Sequence, residues 1–383
     1  MKKRDVIIVG GGASGICCAI NLKRANKNLS VTVLEQNDKI LKKLLKTGNG
    51  KCNIGNENIT KDRYHNFDFF KENIPSFDIK KYFLDMGILL KKDEIGRLYP
   101  YCESASNVVD ILRNEADRLK VEVITEFTVT DIKKTKLNYE IYGKENYQTN
   151  VLVLACGSIA QSHTNGYELA RNLNHTVTDL KAGLTPIKVK EDVKSLQGIR
   201  IKCRAIANDF ARDGEILFKE NGISGILSLE LSRYVSNNDK IVLDLVPNVD
   251  EKYIENFIEN KAKSQRYDRD SCLLIALSGM LPKMLSLLII KKSKNIEEIV
   301  KNIKNLTLTV DSLYGFNNSQ IVVGGVDIKD IYSTFESKIN NNLFIIGEML
   351  DVDGDCGGYN LYFAWLSAYI CSNSIIKENF TKS

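Results

Sequence analysis

The stretch that most constrains this chain lies at its start. "DVIIVGGGASGICCAINLKRA" begins at Asp5, and "VTVLE" follows, ending at Glu35. A short β-rich run leads into Gly10-x-Gly12-x-x-Gly15, then a segment with apolar residues at helical spacing, then a second strand and an acid. Each part has a physical reason. Gly10 permits a tight turn, Gly12 lets backbone approach a pyrophosphate, and Gly15 lets helix and strand pack closely. A helix opening at Ala13 and Ser14 presents free N–H groups and partial positive charge to phosphates. Glu35 can accept hydrogen bonds from a ribose diol and would repel a 2′-phosphate. The stretch therefore predicts a dinucleotide site suited to NAD or to the ADP half of FAD, rather than NADP.

After Glu35 the pattern departs from a simple repeating βαβ dehydrogenase. "KKLLKTGNGKCN" (42–53) gathers Lys43, Gly48, Gly50, Cys52 and Asn53 in a dense loop suited to close approach of a phosphate or a ring. Helical periodicity follows at 107–119, strand-like alternation at 121–143, and a buried strand at 150–158 ending in small residues. This order resembles the FAD-binding half of glutathione-reductase-type flavoproteins. The resemblance implies that backbone near Val129 faces the adenine and that Ala155 to Gly157 lies by the dinucleotide. "VVGGVD" (322–327) lacks a third glycine and a strong following helix, so no separate nicotinamide domain is expected. NADH or NADPH would dock transiently.

"GEMLDVDGDCGGYN" (347–360) places Asp351, Asp353 and Asp355 at alternate positions, as a calcium loop does. Position 6 of such a loop is Cys356 where glycine is needed, and position 12 is Tyr362 where a bidentate Glu belongs. The segment reads instead as strand, turn and helix, a second nucleotide-facing turn. Gly347 opens it. Glu348 and Asp351 can accept hydrogen bonds from ribityl or ribose hydroxyls, and Gly358 brings backbone close to the ring. A helix opening near Asn360 and Leu361 aims its N–H groups at the pyrimidine side of a flavin.

Composition narrows the class. Nine cysteines form no CxxC pair and there are three histidines, so neither a disulfide frame nor a metal site is expected, and a cytoplasmic setting is. The net charge of +5 comes from scattered lysines, which read as solvated faces and not as a nucleic-acid stripe. The basic start is interrupted by Asp5 and broken by glycines, unlike a signal peptide. The apolar run "CLLIALSGMLPKMLSLLII" is cut by Pro282 and Lys283, so no membrane span is expected.

Eight ordered blocks carry a closer resemblance: "GGGASG", "KTGNGKCN", "GRLYP", "LTPIKV", "GEILFKENGISG", "VVGGVDIKDI", "TFESK" and "GEMLDVDGDCGGYNL". Over nearly its whole length the chain resembles the aminoacetone-oxidase-type, or BaiN-like, NAD(P)/FAD-dependent oxidoreductases. The resemblance implies an α/β fold: a discontinuous Rossmann-like FAD-binding domain (1–185 and 320–383) with an inserted β-barrel and helical segment (186–319, helices within about 250–295). The family usually has Thr-His where this chain has Lys219-Glu220, Pro-Ala at Ile226-Leu227, Arg at Lys51, Gln at Tyr362 and Gly at Ala368.

The expected function is FAD-dependent hydride transfer to or from a small organic substrate, in oxidase or reductase mode. The rival readings are a flavin-dependent RNA-modifying enzyme and a flavin-binding sensor. No catalytic acid or base is assigned. Cys52 reads as a buried, unreactive thiol and His163 and His175 as structural or exposed, and Tyr359 and Tyr362 are as consistent with core packing as with a ligand contact.

Overall fold

A computed structural model describes residues 1–67, 76–262 and 268–380. The chain divides into two compact units, Met1–Lys181 with Ile321–Ser383, and Ala182–Gln320.

The first unit is built on a seven-stranded sheet. Lys2–Val9 lies at its centre, parallel to Val31–Leu34 on one side and to Tyr147–Leu154 on the other. Glu122–Ile124 extends the parallel set beyond Val31–Leu34. The outer edge of Tyr147–Leu154 is shared. Leu343–Ile345 pairs in parallel along Leu152 to Leu154, and Tyr139–Tyr142 pairs antiparallel along Tyr147 to Thr149. Asp131–Lys134 completes a hairpin with Tyr139–Tyr142. Within 121–143, therefore, only the second half forms a hairpin.

Val6 to Val9 and Val151 to Leu154 are buried almost completely, as expected of parallel strands covered on both faces. The helix Ala13–Ala25 packs against the C-terminal helix Tyr359–Ile375, and both are buried over most of their surface. That is the environment of core helices. Trp365 is fully buried and donates its indole N–H to the Ile54 carbonyl at 3.0 Å. Tyr362 packs edge-on against Phe77, and Tyr359 against Tyr64, so both tyrosines are core aromatics.

The second unit holds a closed six-stranded barrel. Its strands run in the spatial order Ile187–Val189, Gly222–Ser224, Phe210–Lys219, Arg200–Ala207, Lys240–Asp244 and Leu306–Leu313, and the last pairs back onto the first. Closure removes exposed sheet edges. Ile187, Val189, Ile216, Phe218, Ile241, Leu243, Leu308 and Val310 alternate inward into one core. Helices Glu251–Ala262, Arg269–Ser278, Lys283–Lys291 and Ile296–Lys304 interrupt the barrel before its last strand. The first of these helices is described to Ala262, and residues 263–267 lie outside the described residues. The fourth helix was not expected from the sequence. It is nonetheless capped by Asn295, whose side chain accepts from the Glu298 N–H.

Candidate functional site

The carboxyl ends of the parallel strands in the first unit carry the residues singled out in the sequence. Gly10 follows the central strand with a φ of +110° and donates its N–H to the Leu34 carbonyl at 2.8 Å. A Cβ there would fall 2.3 Å from the Ala155 carbonyl oxygen, so the turn presses on the neighbouring strand end. A Cβ at Gly15 would fall 2.0 Å from the Gly10 carbonyl oxygen. Gly12 differs: nothing lies within 4 Å of its added Cβ. It is the N-cap of Ala13–Ala25 and makes no side-chain cap bond. Two glycines are thus required by packing, and the third leaves an open backbone face at a helix N-terminus.

Glu35 is buried, and its carboxylate is anchored at both oxygens. Oε2 accepts from the Gly11 N–H at 2.7 Å, and Oε1 accepts from the Asn37 N–H at 2.8 Å and its Nδ2 at 2.5 Å. Each carboxylate oxygen has two lone pairs, so Oε2 retains acceptor capacity. The acid is pre-oriented by the glycine turn it serves.

Ala155 donates its N–H to the Val9 carbonyl at 2.8 Å, which fixes the third strand end against the first. Gly157 has a φ of +70° and open space where a Cβ would stand. Between them Cys156 donates its backbone N–H to Met349 Sδ at 3.2 Å. Burial and the nearby Glu35 carboxylate push its thiol up to about 12, so it stays protonated at neutral pH. Val129 is buried, and its carbonyl accepts from Asn165 Nδ2 at 2.8 Å. The Val129 carbonyl is therefore held by the protein itself.

The segment 347–361 closes the same group. Gly347, with φ +69°, has Ser14 Oγ 2.5 Å from its added Cβ position, so the second turn abuts the first helix. Lys43 pairs with Glu348 Oε2 at 2.6 Å and ties in the loop 42–53. Gly324 and Gly325 pack on backbone. Added Cβ atoms would fall 2.2 Å from the Asp179 carbonyl oxygen and 2.7 Å from the Met349 carbonyl oxygen. The "VVGGVD" glycines are thus explained by close packing.

The Asn53 and Asn360 side chains hold backbone of the last turn. Turned so that its oxygen faces the Gly358 N–H at 3.0 Å, the Asn53 amide donates to the Gly55 carbonyl at 2.9 Å. It holds Gly358 in the φ +97° conformation that starts the last helix. Asn360 accepts from the Gly354 N–H at 2.7 Å and donates to its carbonyl at 2.8 Å. Cys52 is fully buried, and burial pushes its thiol up to about 12. Gly48 approaches the Asn53 backbone, Gly50 faces open space, and Leu361 packs partly against the core.

The alternate aspartates diverge. Asp351 Oδ2 accepts from Thr178 Oγ1 at 3.0 Å, Asp353 meets His65 Nδ1 at 3.2 Å, and Asp355 meets Arg63 Nη1 at 3.4 Å. Among the described residues no cluster of His, Cys, Asp or Glu could hold a metal ion. None of the described helices is long and apolar enough to cross a membrane. His175 is buried against Ser337 Oγ at 2.7 Å, and Gln36 Nε2 donates to the His163 carbonyl.

Three buried polar atoms at this site have no protein partner: Glu348 Oε1, Asp351 Oδ1 and the Tyr167 hydroxyl. Burial first, and then the fields of Glu348 and Asp351, raise the Tyr167 pKa far above its usual value. Two desolvated carboxylate oxygens and a protonated phenol are costly unless a ligand supplies hydroxyl groups. Tyr167 escaped the sequence reading because it lies within an ordinary helical segment, Gly166–Asn172, with no motif around it.

Residues 4–374 match the family described as HI0933-like protein Rossmann domain. A 3-dehydro-bile acid delta(4,6)-reductase from Clostridium scindens is 30% identical over 400 residues, covering 96% of this chain and 98% of that protein. A ribosomal RNA dihydrouridine synthase from Haemophilus influenzae is also 30% identical, over 97% of this chain and 98% of its own. Among solved structures, a 3-ketosteroid-delta4-(5alpha)-dehydrogenase from Rhodococcus jostii RHA1 superposes with a TM-score of 0.50 at 14% identity. It covers 97% of this chain and 96% of that one, a likeness of fold alone.

Proposed function

The chain belongs to the HI0933-like Rossmann-domain family, and from that premise we propose that it is an FAD-dependent oxidoreductase that reduces or oxidises a small organic substrate. One observation carries the cofactor reading. Glu348 Oε1 and Asp351 Oδ1 are buried acceptors without protein donors, on a turn that abuts the open glycine turn. A polyol attached to a pyrophosphate meets both demands.

The residues fit that group in named ways. The N-terminus of Ala13–Ala25, uncapped and unobstructed at Gly12, would hold the pyrophosphate. Glu35, oriented by Gly11 and Asn37, would accept from the adenosine ribose. Glu348 and Asp351, held by Lys43 and Thr178, would accept from ribityl hydroxyls. The N-terminus of Tyr359–Ile375, started at Gly358 without a side-chain cap, would favour negative charge beside it. The flavin, when bound, supplies the hydride chemistry. The protonated Cys52 and Cys156 thiols take no nucleophilic part in this scheme.

NADH or NADPH serves as transient reductant in this proposal. The reductase named among the relatives supports a small-molecule acceptor. A second reading, reduction of a base in RNA, is supported by the equally similar relative named for ribosomal RNA. An anaerobic experiment separates them. FAD-loaded protein is bleached with NADH or NADPH, then offered enones, ketone-bearing acids, uridine-containing RNA, or air. Reoxidation by a small enone or ketone supports the first reading, and reoxidation by RNA alone replaces it with the second.

A further inference from the structure

The barrel carries a feature that the proposed oxidoreductase chemistry does not use. Lys188 and Lys219 both pair in register with Gly222, one from each neighbouring strand. Directly opposed residues share a face of a sheet, and the flanking Ile187, Val189 and Phe218 point into the core. The two lysines therefore emerge outward, from backbone about 10 Å apart across two strand spacings, and Gly222 between them contributes no side chain. Tyr314 stands beside both. Lys188 Nζ is 5.2 Å and Lys219 Nζ 5.3 Å from the centre of its ring. The Tyr314 hydroxyl is fixed by Asn221 Oδ1 at 2.6 Å.

We propose that Lys188 and Lys219, set on either side of Gly222 and gathered at the Tyr314 ring, form an outward-facing site for a phosphate group.

Charge supports this. Several other cations of this unit are paired locally: Arg200 with Glu215, Arg204 with Asp213, Lys304 with Asp244 and Lys194 with Glu220. Among the described residues neither Lys188 nor Lys219 forms an ion pair with a carboxylate. The nearby Asp311 bonds instead to Ser312 Oγ at 3.2 Å. Two like charges drawn to one ring repel each other, and an anion between them removes that cost. The ring quadrupole keeps both ammoniums in place while the site is open. A lysine acts on phosphate as a point charge on a flexible stem, so two stems can converge on one group. Lys219 stands where the family resemblance places Thr-His, and the cation there comes with a matched partner, Lys188.

The phosphate could come from a nucleic-acid strand or from a phosphorylated small molecule. The test uses full-length, FAD-saturated protein, so that the dinucleotide site is filled. Binding of inorganic pyrophosphate is measured by calorimetry, and binding of a short labelled single-stranded RNA by fluorescence anisotropy across a salt series. Wild type is compared with Lys188→Ala/Lys219→Ala and with Lys188→Arg/Lys219→Arg. The alanine pair should weaken pyrophosphate binding about tenfold or more, and the arginine pair should retain it. If RNA is the source, the alanine pair also lowers the salt slope for RNA by roughly 0.7, one single-strand phosphate contact. If only pyrophosphate responds, a phosphorylated small molecule is the source. Equal binding of both probes by wild type and the alanine pair, with FAD content and melting temperature unchanged, overturns the proposal.

Discussion

Gly15 lies so close to Gly10 that a Cβ at position 15 would stand 2.0 Å from the Gly10 carbonyl oxygen, whereas a Cβ at Gly12 meets nothing within 4 Å. The two positions therefore separate folding from binding. Gly15→Ala must displace backbone, at a cost of about 1–3 kcal/mol, and should lower the melting temperature of FAD-free protein. Gly12→Ala should leave that temperature nearly unchanged and weaken FAD, because the new methyl occupies the open face. Thermal unfolding and FAD titration of both variants check this. Normal FAD affinity in Gly12→Ala would remove the glycine turn from the proposed site.

Asp351→Asn makes a signed prediction of another kind. Asp351 Oδ1 is buried without a donor, so the charge is costly while no ligand is bound. Neutralising it should leave FAD-free protein as stable as wild type or more so. FAD affinity should fall roughly tenfold or more, the scale of a hydrogen bond to a charged group. A variant that loses stability and keeps its affinity would show Asp351 to be a folding residue only.

Burial lowers the His175 pKa below its ordinary value. The folded state thus binds fewer protons than the unfolded state as pH falls below about 6.5. Stability should fall as pH drops through that value and level off below the folded pKa. Urea unfolding between about pH 8 and pH 5, repeated on His175→Gln, checks this. The variant should lose part of the slope.

Cys52 and Cys156 should resist alkylation in the native protein near pH 8, because burial pushes both thiols up to about 12. Cys102 is exposed and should react first. Mass mapping after a brief iodoacetamide pulse reads the order directly, and early labelling of Cys52 would contradict the packing described for the loop 42–53.

Much of this arrangement was legible in the sequence because it rests on local rules. Strand, glycine turn, helix and acid follow one another within the first 35 residues, and their spacing alone places Glu35 beside the turn. The aspartate loop could be separated from a calcium site by Cys356 and Tyr362. Other features depend on contacts between distant segments, which spacing does not reveal. Asn53 serves Gly358, Lys43 serves Glu348, and Thr178 serves Asp351, each across more than a hundred residues. The backbone bonds of Asn53 and Asn360 are likewise not given by spacing. Tyr167 becomes visible only when its buried hydroxyl is found in the field of Glu348 and Asp351. The helix Ile296–Lys304 could have been found from its Asn295 cap and its apolar stripe at Ile299, Val300 and Ile303.

The central claim is that the carboxyl ends of the parallel strands hold FAD. Its most direct measurement is the absorbance spectrum of the purified protein after incubation with FAD and removal of the excess, with the bound cofactor released and identified. The expected result is a yellow protein that carries one FAD per chain, and much less in Asp351→Asn. A folded, colourless protein that cannot be loaded with FAD would contradict it.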